Sequence, residues 1–244
     1  MSRTICVTDD TPLEKDFDSR TALAEASRCL LCHDAPCSEA CPAGTDPARF
    51  IRSLRFKNIW GAAETIRENN PLGGSCAQVC PVNELCESAC VRAGLDTPVK
   101  IAKLQRSVTE QERKMGMQIL NTGPSNGKTV ACIGAGPASL ACASVLAQQG
   151  CHVTIFEQSS QSGGMLALGI PRFRLPQEII DFDLAQIEKL GVEFRYNTTV
   201  SASDLDGLTK QFDAVFIGAG LWKPKTLDLP GKSLDGVIPA LDYL

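Results

Sequence analysis

Eight of the twelve cysteines of this 244-residue chain fall between positions 29 and 90, in two groups of four. The first group is Cys29-x2-Cys32-x4-Cys37-x3-Cys41-Pro42. The second is Cys76-x3-Cys80-Pro81-x4-Cys86-x3-Cys90. Thiols this crowded are either disulfides or metal ligands. Four-cysteine runs with a Cys-Pro point to iron–sulfur clusters, because a Cys-x2-Cys loop supplies two thiolates at once. The Cys-Pro pair turns the chain away and often sends its cysteine to a different cluster. Zinc also accepts four thiolates, but Cys-x4-Cys-x3-Cys-Pro is not the spacing of a zinc ribbon. His33, between two cysteines, reads as a loop residue rather than a ligand. Cys6, Cys132, Cys142 and Cys151 lie outside the groups and read as small core or tail residues.

A second site follows. Gly134-Ala-Gly136-Pro-Ala-Ser139 comes after a short apolar run and opens an Ala-rich stretch, with Glu157 about twenty residues on. In that setting Gly134 permits a tight turn. Gly136 lets the backbone approach a pyrophosphate at a helix N-terminus. Glu157 can accept from a ribose hydroxyl and disfavours a 2′-phosphate, so FAD and NAD both fit. Ser139 stands where a third glycine is usual and loosens the fingerprint. Gly163-Gly164-Met165 tilts the choice to FAD, since a second glycine pair suits close approach to a flavin. Arg174, in GIPRFRLP, is a candidate for a phosphate or a flavin oxygen.

The elements that must position these residues are legible in part. Asp46-Pro47 predicts a helix start, with Phe50, Ile51 and Leu54 on one face. A second helix is expected over 59–68, stopping at Asn-Asn-Pro-Leu-Gly-Gly. A third follows Pro98, with Ile101, Leu104, Gln105 and Val108 on a broad face. The turn-rich stretch 121–128 predicts a linker. Beyond it, strands at 128–133, 151–156 and 192–196 alternate with helices reaching Gly150 and covering 181–190. A buried strand over 212–220 ends in glycines. Such alternation implies a parallel sheet. Net charge is −4, which leaves no footprint for nucleic acid or an anionic membrane. No apolar run approaches the roughly 20 residues of a membrane span. The acidic N-terminus lacks a signal's apolar core, so a cytoplasmic location with reduced thiols is expected.

The order of the strings CLLCHDAPC, GAAETIRENNPLG, GAGPAS, SGGM, GIPRFRLP and FIGAG resembles the N-terminal portion of dihydropyrimidine dehydrogenase. It is most similar to the separate NAD-dependent subunit of bacteria, the PreT type. The small subunit of glutamate synthase is a more distant likeness with the same layout. The resemblance covers roughly residues 22–230. It implies an α-helical iron–sulfur domain followed by an α/β Rossmann-like FAD-binding domain that is incomplete at the C-terminus. The corresponding boundaries are a polar tail at 1–20, a helical domain with two [4Fe–4S] clusters at 21–120, a linker at 121–128 and the FAD domain at 129–244. The resemblance implies Cys29, Cys32, Cys37 and Cys90 for one cluster. It implies Cys41, Cys80, Cys86 and Gln105 for the other, with Cys76 spare. FAD contacts would fall on Gly134, Ala135, Gly136, Pro137, Ala138, Glu157, Gly163, Gly164, Met165, Arg174 and Val200.

On the same resemblance the intact enzyme is an NAD(P)-dependent oxidoreductase acting on a CH–CH group. It passes electrons between NAD(P)H, FAD and the clusters. The partner is an FMN- and iron–sulfur-containing, pyrimidine-reducing subunit. The chain is expected to stop before the nicotinamide-binding domain, and no catalytic acid or base for the pyrimidine is expected on it. Two other readings remain. One is a glutamate synthase small subunit with the same electron path. The other is a non-catalytic zinc-binding adaptor.

Overall fold

A computed structural model describes residues 16–225 and 227–243. Cys6 and most of the expected polar tail lie outside the described residues. The first half is helical. Helix α1 (Ser19–Ser27) is capped by Asp18, whose carboxylate accepts from Thr21 N at 2.7 Å. The short α2 (Pro36–Glu39) and α3 (Pro47–Arg55) follow. Asp46 caps α3 by accepting from Arg49 N, and Pro47 occupies the first turn, where its missing N–H costs nothing. Then come α4 (Ile59–Asn69), α5 (Gly73–Val79) and α6 (Ile101–Lys114). Their apolar faces meet in one core that includes Phe50, Ile51, Leu54, Ile66, Leu104 and Val108. The sequence's periodicity had placed all but Ile66 of these on inward faces.

The second half is built on a four-stranded, all-parallel sheet of order β3-β2-β1-β4. The strands are β1 (Thr129–Ile133), β2 (His152–Phe156), β3 (Glu193–Arg195) and β4 (Ala214–Ile217). The crossovers carry α7 (Pro137–Gln148), the one-turn α8 (Met165–Leu168), α9 (Gln177–Glu188) and α10 (Leu205–Gln211). Successive β1 residues point to opposite faces. Val130 and Cys132 pack with α7 and α9, while Ala131 and Ile133 pack with Leu208 of α10. A last turn, α11 (Ala240–Tyr243), closes the described chain. No helix among the described residues is long and apolar enough to cross a membrane.

Two expectations are corrected. The strand near 212–220 is not buried: Ile217 is 63% exposed. The sheet order puts β4 at an edge with only β1 beside it, so its apolar run meets solvent on one side. The stretch 121–128, expected as a linker, is bonded to the C-terminal ends of α7 and α9. Gly123 N donates to Ala147 O at 3.2 Å, Asn126 N to Gly150 O at 3.0 Å, and Thr122 Oγ1 to Leu190 O at 2.8 Å. A Cβ on Gly123 would sit 2.2 Å from Gln148 O, so only glycine admits this close approach. Helix α9 also starts earlier than expected, directly after Pro176.

Candidate functional site

All eleven described cysteines are free. Cys29, Cys32, Cys37 and Cys90 line one small cavity together with Leu30, Val91 and Val99. Three elements bring them there. Leu31 takes a left-handed φ of 54°, which turns the Cys29–Cys32 loop, and its N–H reaches the Cys29 sulfur. Arg55 Nη1 donates to Cys29 O at 3.3 Å and fixes the same loop from α3. Cys37 rides on α2, and Cys90 precedes a 3-10 turn over Val91–Gly94. Burial pushes the Cys29 thiol up, and pushes Cys37 to about 11 with Cys29 and Cys90 adding to it.

Cys41, Cys76, Cys80 and Cys86 form the second gathering. Cys76 lies on α5 and Cys80 caps its C-terminal end one turn later, with their thiols in hydrogen-bonding contact. Cys41 raises Cys76, Cys80 and Cys86 electrostatically, so all four share one neighbourhood. Burial takes both Cys76 and Cys86 to about 12. Cys37 also acts on Cys86, which makes the two gatherings neighbours. Cys76, read from the sequence as spare, therefore stands inside the second group. Gln105 is buried on α6, and its Nε2 donates to Gly73 O at 2.8 Å, at the end of α5 opposite Cys80. His33 is exposed, as a loop residue should be.

Among the described residues, no three His, Cys, Asp or Glu side chains close on a point suited to one metal ion. Cys29, Cys32, Cys37 and Cys90 line a cavity, and a cubane's irons, each taking one ligand, would suit such a lining.

The glycine loop lines a cleft of about 670 Å³ at the C-terminal ends of β1 and β4. Gly134 has φ 88°, and a Cβ there would lie 2.8 Å from Gly218 O. On Gly136 a Cβ would meet only Gly218 O, at 4.0 Å, so that backbone is open to a ligand. Pro137 and Ala138 follow at the start of α7 and line the cleft with Ala135, Glu157, Gly164, Met165 and Val200. Glu157 is 8% exposed. Its Oε2 accepts from Ala135 N at 2.6 Å, and its Oε1 from Ser159 N at 2.8 Å and Ser159 Oγ at 2.9 Å.

Ser139 is fully buried. A Cβ on Gly218 would lie 2.1 Å from its Oγ, so the serine in the third glycine position is matched by a glycine opposite. Gly163 does not line the cleft. It donates its N–H to Ala135 O at 2.8 Å, and a Cβ on Gly164 would fall 2.8 Å from Gly136 Cα. The second glycine pair thus packs backbone to backbone on the first.

Arg174 is not brought to the cleft. It lines a separate groove against α6, beside Arg106 and Arg113, because Arg174 N and Leu175 N both turn back to Pro171 O. The cleft also uses residues that sequence reasoning passed over: Thr198, Thr199 and the run 218–222. The glycines of FIGAG carried that last signal, but they were read only as a strand end.

The description of one family, dihydropyrimidine dehydrogenase domain II with a 4Fe–4S cluster, matches residues 7–117. A second, the NAD(P)-binding Rossmann-like domain, matches residues 132–180. The NAD-dependent dihydropyrimidine dehydrogenase subunit PreT of Escherichia coli K12 is 53% identical over 229 residues, 93% of this chain and 55% of the relative. The PreT subunit of Salmonella typhimurium LT2 is 50% identical over 210 residues, 86% of this chain and 51% of the relative. The chain spans about half the length of these relatives. Among solved structures, Mycobacterium tuberculosis FprA in complex with NADPH aligns with a TM-score of 0.42 at 22% identity, over 50% of this chain and 28% of that one. Likeness at that level assigns neither fold nor function. The sequence matches do assign a family: over the part that it spans, the chain belongs with the NAD-dependent dihydropyrimidine dehydrogenase subunits of the PreT type.

Proposed function

We propose that this chain is the electron-relay portion of a dihydropyrimidine dehydrogenase subunit, with an iron–sulfur unit over 21–120 and a FAD-binding unit over 129–244. The observation that carries the reading is the convergence of Cys29, Cys32, Cys37 and Cys90 on one cavity, with a second thiol group adjoining it. Those four would hold one [4Fe–4S] cluster. Cys41, Cys80 and Cys86 would hold the other, with Gln105 as fourth ligand. The bond from Gln105 Nε2 to Gly73 O leaves Oε1 for metal. Bound flavin and clusters would supply the conversion of a hydride from a nicotinamide into single electrons and their relay to a partner.

The chain's own residues bind and orient. The backbone at 136–138 faces the pyrophosphate from the start of α7. Glu157, already held by Ala135 and Ser159, offers its remaining lone pairs to a ribose hydroxyl. Cys86 is buried and the other cluster thiols are half-buried, which would limit the access of water to bound iron. No side chain here is given a proton transfer to the pyrimidine. That step belongs to a partner subunit carrying FMN and iron–sulfur centres, in the cytoplasm.

The test is the visible absorption spectrum of the anaerobically purified chain, before and after dithionite. A broad brown band that bleaches, with resolved flavin peaks, is the expected result. A colourless chain containing zinc would overturn the reading in favour of an adaptor.

A further inference from the structure

Arg67, Glu112 and Asp183 are fully buried together, although they come from α4, α6 and α9. Arg67 Nε lies 2.9 Å from Glu112 Oε1, and its Nη2 3.1 Å from Glu112 Oε2. Its Nη1 donates to Asp183 Oδ1 at 2.6 Å and also to Pro71 O. Burial alone would work against the charged guanidinium, but the two carboxylates outweigh it and hold the proton in place. The other two partners of Asp183 are backbone: its Oδ2 accepts from Ser75 N at 2.7 Å, and its Oδ1 from Gly74 N at 3.3 Å. These are the first amides of α5, which have no partner within the helix.

Glycine is required at this junction. A Cβ on Gly74 would fall 2.9 Å from Asp183 Oδ1, and one on Gly73 would fall 2.4 Å from Ile66 Cγ2. Gly73 O is the acceptor of Gln105. One loop, 71–75, is therefore gripped by the helical unit through Arg67 and Gln105, and by the α/β unit through Asp183. That loop starts the helix that carries Cys76 and ends at Cys80.

We propose that Asp183 is a positioning residue for the second cluster: the carboxylate of the dinucleotide-binding unit sets the helix that presents Cys80, and with it the Gln105 amide. This rests on the assignment of Cys41, Cys80, Cys86 and Gln105 to that cluster. Outer-shell groups of this kind fix the direction of first-shell ligands, and cluster potentials respond to the hydrogen bonds and charge around them. Asp183 touches no thiol. Its effect runs through the backbone of 74–75 and the shared loop, so binding geometry in one unit is tied to cluster geometry in the other.

The experiment uses the full chain, anaerobically reconstituted with iron and sulfide and reduced with dithionite. EPR spectra, midpoint potentials and iron content would be compared for the parent, Asp183→Ala, Asp183→Asn and Cys80→Ser. Cys80→Ser reports on the underlying assignment, because it should lose one cluster signal and keep the other. Asp183→Ala should shift the g-values and potential of that same signal, or lose it, while the other signal stays unchanged. Asp183→Asn keeps an acceptor for Ser75 N and should show a smaller shift of the same kind. Unchanged signals and potentials in both Asp183 variants, with Cys80→Ser behaving as expected, would overturn the proposal and leave the assignment standing. Loss of both signals together in both Asp183 variants would also overturn it, since it would reveal a purely structural contact. A Cys80→Ser chain with both signals intact would overturn the assignment and the proposal with it.

Discussion

Glu157 has two duties that compete for one carboxylate. It ties the glycine loop to the end of β2 through Ala135 N, and in the proposed function it is the acid that would meet a ribose. Replacing it with alanine leaves a buried amide without its acceptor, a loss of about 1–3 kcal/mol. We expect Glu157→Ala to weaken FAD binding by about tenfold or more, the equivalent of roughly 1.4 kcal/mol. Fluorescence titration of the apo chain with FAD measures this, and an affinity equal to that of the parent would remove Glu157 from the site. Gln105 and Cys76 pose a sharper contrast. Both stand near α5, and either could complete a set with Cys41, Cys80 and Cys86. The Gln105 reading predicts that Gln105→Ala alters the EPR signal of one cluster, while Cys76→Ser keeps the iron and sulfide of both. Iron analysis of the two variants decides between them. These ligand types were legible in the cysteine spacing. Their grouping was not, because which thiol faces which cavity depends on where α2, α5 and the turn at Leu31 aim them.

At the scale of elements, local rules read well where local chemistry decides. The Asp46-Pro47 start of α3 and the turn at Gly134 came straight from side-chain capping and backbone freedom. They failed where a distant partner decides. The helix over 59–68 does stop at Asn-Asn-Pro-Leu-Gly-Gly, but the α5 that Gly73 and Gly74 open was not expected, and there Ile66 and Asp183 occupy the space a side chain would need. The apolar run of β4 read as buried, but strand order cannot be seen in one strand. That edge is held in part by Asp213, which accepts from Thr129 N at 2.9 Å and from Lys128 Nζ at 3.1 Å. The Thr129 amide first, then Lys128, keeps the Asp213 carboxyl below the usual aspartate range. A depressed folded pKa gives stability that is present above the unfolded value and lost as pH falls through the folded one. Asp213→Asn should therefore lower the melting temperature near neutral pH, with the gap to the parent closing in the acid range. Melting curves across that range check it, and a gap independent of pH would contradict it.

For the whole molecule, the buried Arg67 joins two units that composition and periodicity present as separate. The stretch between them is stitched to α7 and α9 rather than free. Nothing in the string NTGPSNGK reveals this, since its partners lie far along the chain. Removing one member of a buried ion cluster strands the others, at about 3–5 kcal/mol. Arg67→Met should lose that much in urea denaturation and split one unfolding transition into two. A single transition of parental stability would show that the units are not coupled through this residue. The central claim, that the chain carries two [4Fe–4S] clusters side by side, is tested most directly by EPR spin quantitation with iron analysis on the anaerobically purified, dithionite-reduced chain. Two reduced-cluster signals, with iron enough for both, are expected. A single signal, or a chain with zinc and no iron, would contradict it.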